Sequence, residues 1–112
     1  MLEQTLAAAE LLAEQGISAE VLEFCTIKPF DGEALAASAK KTGAVLTVEE
    51  HNVIGGLGSA AAEALAERQP TRMRRVGIPD CFGESGKYPE LLDKYGLSAQ
   101  KIAAAARELL GR

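Results

Sequence analysis

The residues best suited to chemistry stand together in the middle of the chain. Glu49, Glu50 and His51 supply two carboxylates and the only histidine of the 112 residues. Such groups serve general acid–base catalysis. Consecutive residues that leave a strand point in different directions, however, and no second histidine or nucleophile completes a catalytic set. We therefore predict no catalytic residue here, but a structural or interface role in which one carboxylate caps backbone amides of the following loop.

A glycine-rich loop follows and leads into an alanine-rich helix. From Gly56 to Ala61 it matches the Gly-x-Gly-x-x-Gly/Ala pattern, which lets the pyrophosphate of a dinucleotide approach a helix N-terminus. In dinucleotide sites the glycines leave the strand almost at once, whereas here residues 49–54 intervene. The acidic residue for the ribose would be Asp80, which follows a proline in a loop.

We therefore expect these glycines to form a sharp turn and to let the helix lie close to the sheet or to a neighbouring chain. Anion binding is the alternative for the same loop. The candidate loop, interface or anion-binding residues are Glu49, Glu50, His51, Gly55, Gly56, Gly58 and Ser59.

The sequence contexts of one serine and of the two cysteines do not favour a role as nucleophile or metal ligand. Ser85 lacks the strand-to-helix elbow that hydrolases require, and we expect it to form a turn. The only cysteines, Cys25 and Cys81, lack the spacing of a metal site. We expect Cys25 to be a small buried hydrophobe in a strand and Cys81 to be a loop residue. No metal-binding residue is predicted.

Composition limits the class of protein. The length suits one domain, 1–112, with a hydrophobic core of its own. Twelve basic and sixteen acidic residues give a net charge of −4 with no basic stripe, which argues against nucleic acid or a membrane as a partner. No apolar run approaches a membrane span, and the first residues lack a secretory signal. We expect a cytoplasmic protein.

Hydrophobic periodicity predicts alternating helices and strands. The predicted helices are 2–15, 32–41, 59–68 and one that starts after Ser98, with a short helical turn at 90–94, and the predicted strands are 21–25, 45–48 and 75–78. In the first helix the apolar positions are Leu2, Leu6, Ala9 and Ala13. This alternation implies an α/β fold with a parallel sheet and right-handed crossovers.

The chain opens with a helix, although a helix of such a sheet normally follows a strand. Either a first strand lies upstream of this sequence, or the sheet has only three strands. We expect the start to be truncated.

Several stretches together resemble one known family. They are Ile27-Lys28-Pro29-Phe30-Asp31, Thr47-Val48-Glu49-Glu50-His51-Asn52, Gly55-Gly56-Leu57-Gly58-Ser59, Ile78-Pro79-Asp80-Cys81-Phe82-Gly83-Glu84-Ser85-Gly86 and Tyr95-Gly96-Leu97. In this order they resemble the C-terminal domain of transketolase-type, thiamine-diphosphate-dependent enzymes, over nearly the whole chain. The stretch around Ser85 is most similar to transketolases, especially those encoded as separate N- and C-terminal sections. Deoxyxylulose-phosphate synthases and the β subunits of 2-oxo-acid dehydrogenases are the neighbouring alternatives.

The resemblance implies a three-layer α/β/α domain with a mostly parallel sheet and a strand before the first helix. It implies that the complete enzyme transfers two-carbon ketol units between sugar phosphates, using thiamine diphosphate and magnesium held between the pyrophosphate-binding and pyrimidine-binding domains. The Gly-Asp-Gly…Asn metal motif is not in this sequence. We therefore expect a domain that is inactive alone and binds no cofactor.

The implied partners are the N-terminal and pyrimidine-binding domains or subunit of the same enzyme, in a homodimer or hetero-oligomer. A free-standing nucleotide-binding or dimerisation module is the alternative of another class.

Overall fold

A computed structural model of the chain describes residues 1–79 and 86–112. These ranges contain α1 (Leu2–Glu14), α2 (Gly32–Thr42), β1 (Ala44–Asn52), α3 (Leu57–Arg68), β2 (Arg72–Ile78), α4 (Tyr88–Lys94) and α5 (Ala99–Leu110). The predicted helices and the strands predicted at 45–48 and 75–78 are therefore confirmed, with small changes at their ends. The interpretations of Asp80, Cys81 and Ser85 lie outside the described residues.

The two strands form a parallel pair. Ala44 lies opposite Arg72, and the register continues without a shift as far as Val48 opposite Val76. Parallel strands need a long crossover, and α3 supplies it. Within the described ranges, no helix combines the length and the apolar character that crossing a membrane requires.

Helices cover both faces of this pair. On one face α1 and α5 pack together, and Leu46 and Val48 of β1 contact their shared core. On the other face α2 and α3 pack together, and Val45 contacts them. Side chains alternate between the faces of a strand, so β1 contributes to two separate cores. The predicted three-layer α/β/α architecture is confirmed.

Helix ends follow local rules that the sequence carries. The Asp31 carboxylate accepts a hydrogen bond from the Ala34 amide at 3.1 Å, which caps the start of α2. Gly43 ends that helix in the left-handed conformation, with φ of 81°. The Ser98 hydroxyl likewise accepts from the Lys101 amide at the start of α5.

The strand predicted at 21–25 is wrong. Residues 17–24 have neither helical nor strand hydrogen bonding, although the Phe24 ring stacks on that of Phe30 with centroids 4.6 Å apart. Cys25 is exposed rather than buried in a strand. A β-prone sequence becomes a strand only beside another strand, and the nearest one, β1, lies across a cleft.

The buried face of α1 also differs from the predicted one. Ala8 and Leu12 are buried against α5, whereas Leu2 and Leu6 are 39% and 47% exposed. Two stripes of this alanine-rich helix have apolar residues at helical spacing. The stripe that contains Ala8 and Leu12 shares one buried cluster with residues of α5, so the packing of α5 decides between the stripes.

The contrast between Leu12 and Leu6 supplies a test of this packing. Leu12→Ala removes a side chain that is 4% exposed and leaves a cavity between α1 and α5. We expect it to lower the free energy of unfolding by about 2 to 4 kcal/mol in urea denaturation. Leu6→Ala, on the same helix, should cost less than about 1 kcal/mol. Equal losses for the two variants would contradict the assignment of the buried face.

Candidate functional site

The charged residues Glu49, Glu50 and His51 belong to the last part of β1, because this strand continues to Asn52. The parallel register is irregular there. Val48 pairs with Val76 and Asn52 pairs with Ile78, so three residues of β1 lie opposite Gly77 alone. A Cβ atom at position 77 would lie 2.8 Å from the backbone oxygen of His51. The bulge therefore requires glycine on the facing strand, and it re-aims the side chains that follow it.

Glu49 caps α3 from the neighbouring strand. Its carboxylate is buried and accepts hydrogen bonds from the backbone amides of Leu57 at 2.7 Å and Gly58 at 3.0 Å. These are the first amides of the helix, which have no partner inside it. The predicted capping of the loop by one carboxylate is confirmed. The helix begins at Leu57 rather than at the predicted 59.

Gly56 is the residue that lets the carboxylate come so close. It occupies the N-cap position of α3, where it offers no side chain to the helix amides. A Cβ atom at this position would overlap the Glu49 carboxylate and would lie 2.9 Å from Nδ1 of His51. The glycine thus makes room for a capping group that comes from β1.

Further hydrogen bonds hold the loop between β1 and α3. The Gly55 amide donates to the Ser59 hydroxyl at 2.8 Å, with Gly55 in the left-handed conformation. From β2, the Arg75 guanidinium donates to the Val53 carbonyl at 3.0 Å. Ser59 therefore lies within the first turn of the helix, where its hydroxyl fastens the loop rather than starting the helix.

The other two charged residues do not join Glu49. Glu50 is exposed, and its carboxylate accepts a hydrogen bond from the Tyr88 hydroxyl of α4 at 2.8 Å. His51 is also exposed, and its Nδ1 lies 2.8 Å from the Asn52 carbonyl, which can only accept. The three side chains serve three different contacts. The predicted divergence of these side chains is observed.

Tyr88 is a member of this region that the sequence did not single out. The hydrogen bond to Glu50 raises the pKa of the Tyr88 phenol, with smaller contributions from burial and from the carboxylate charge. The bond joins α4 to the end of β1 across 38 positions of sequence. No pattern among residues close in sequence predicts this contact.

These contacts can be compared with what an anion site and a metal site would require. A phosphate at the start of α3 would have to displace the Glu49 carboxylate from the Leu57 and Gly58 amides. Among residues 1–79 and 86–112, no group of three or more histidine, cysteine, aspartate or glutamate side chains is arranged to hold a metal ion. The contacts of Glu49 favour a structural cap, which joins β1 to α3, over an anion site at the start of α3.

Removing the Glu49 cap should destabilise the domain. Glu49→Ala leaves one buried and one partly buried helix amide without an acceptor, and we expect a loss of about 2 to 3 kcal/mol in the free energy of unfolding. Glu49→Gln keeps one acceptor oxygen and should lose less. Glu50→Ala is the matched control, because it removes the adjacent exposed carboxylate. Urea denaturation at neutral pH compares the three variants, and a loss for Glu50→Ala as large as that for Glu49→Ala would refute the capping role.

The titration of Tyr88 should report its bond to Glu50. A raised pKa means that folding favours the neutral phenol, so the bond stabilises the domain below the ordinary tyrosine pKa and is lost as pH rises through the raised value. Glu50→Gln should lower the pKa of Tyr88 towards its ordinary value, as followed by NMR of the ring carbon that bears the hydroxyl. Glu90→Gln, on the same helix, should leave it unchanged; an unaltered titration in Glu50→Gln would argue against the bond.

Sequence comparisons agree with the fold. Residues 1–102 match the family described as transketolase, C-terminal domain. The chain is 57% identical over its full length to the 6-deoxy-6-sulfo-D-fructose transketolase subunit of Clostridium sp. strain MSTE9, covering 35% of that protein. It is 47% identical over 94% of its length to a putative transketolase C-terminal section of Methanocaldococcus jannaschii, covering 33% of it. The chain thus spans about a third of these relatives.

Two further similarities mark the breadth of this relationship. The 1-deoxy-D-xylulose-5-phosphate synthase of Syntrophotalea carbinolica is 43% identical over 96% of the chain, which covers 17% of that enzyme. A solved chain described as a split gene transketolase, inactive beta4 tetramer, superposes with a TM-score of 0.92 at 49% identity, over 97% of this chain and 36% of that one. The chain belongs to the transketolase C-terminal domain family.

Proposed function

We propose that this domain supports the assembly of a thiamine-diphosphate-dependent transketolase, which transfers two-carbon ketol units between sugar phosphates, and that it binds no cofactor by itself. The observation that carries the proposal is the position of Glu49. Its carboxylate occupies the α3 amides that a phosphate-binding loop would offer to a ligand.

The charge of that carboxylate strengthens the argument. A pyrophosphate brought to the same helix start would meet a buried negative group 8% exposed, whose displacement would leave the carboxylate without its two amide donors. A glycine loop built for a ligand leaves those amides free. The loop from Gly55 to Ser59 instead fixes how β1, α3 and β2 meet, as expected of a domain that supports other domains.

The relatives favour a transketolase over a deoxyxylulose-phosphate synthase. Identity is 57% to the transketolase subunit and 43% to the synthase. On this reading thiamine diphosphate and magnesium belong to the N-terminal and pyrimidine-binding domains or subunit, with which this domain forms a dimer or hetero-oligomer in the cytoplasm. The donor and acceptor sugars are then selected by those partners.

Calorimetry on the purified chain tests the proposal directly. Titration with thiamine diphosphate and magnesium chloride should give no binding heat, and the chain alone should transfer no ketol unit from a ketose phosphate to an aldose phosphate. Addition of the polypeptide that carries the other domains should restore transfer. Clear cofactor binding by the chain alone would contradict the proposal.

Titration with NAD and ATP tests the alternative that the chain is a free-standing nucleotide-binding module. A Cβ atom at position 58 would lie 2.9 Å from Cδ of Arg75, so Gly58→Val perturbs the loop at the start of α3. Micromolar nucleotide binding that disappears in Gly58→Val would favour a nucleotide-binding module. The absence of binding in both proteins is the result we expect.

A further inference from the structure

We draw no further inference here: the strongest candidate, the surface at the carboxyl end of β1 where the side chains of Ile54 and Tyr88 are exposed, carries none because nothing in the described part of the chain shows what covers it.

Discussion

The hydrogen bonds from the Leu57 and Gly58 amides to the Glu49 carboxylate decide the arrangement of the central part of the domain. They join the end of β1 to the beginning of α3 through a charged acceptor, and such bonds are stronger than those between neutral groups. They also place a negative charge at the positive end of the helix. The bulge opposite Gly77 and the absence of a side chain at Gly56 are the two steric conditions for this contact.

The same residues illustrate why a ligand site and a structural cap from a neighbouring strand can have the same sequence pattern. A glycine loop, a helix start and neighbouring carboxylates are what an anion or metal site needs. They are also what a strand needs to cap the next helix from a distance. The difference lies in where one carboxylate points, and here Glu49 points to the helix while Glu50 points to Tyr88.

Much of the fold could be predicted because its causes are local. The caps Asp31 and Ser98 and the apolar periodicity of the helices depend on residues close in sequence, and the alternation of elements implied the parallel, layered arrangement. The capping of the glycine loop was also predicted. The choice of Glu49 over Glu50 was not, because it depends on the bulge opposite Gly77, in a different strand.

The wrong predictions share a physical origin, since each depended on a neighbour. Residues 21–25 have a β-prone sequence, but a strand forms only when its backbone groups find partners. The burial of Cys25 depended on that strand and failed with it. Which of the two apolar stripes of α1 is buried could not be predicted without knowing which of them α5 packs against.

The two outer edges of the sheet differ in how they meet solvent. β2 carries exposed Arg72, Arg74 and Arg75, and Arg74 pairs with Glu108 of α5, which holds the pKa of that carboxyl below its ordinary value. Charged edge strands resist pairing with other molecules. Along Val45 and Leu46, by contrast, β1 carries no charged side chain. By this contrast, β2 is the edge protected against strand pairing with other molecules, and β1 is not protected along Val45 and Leu46.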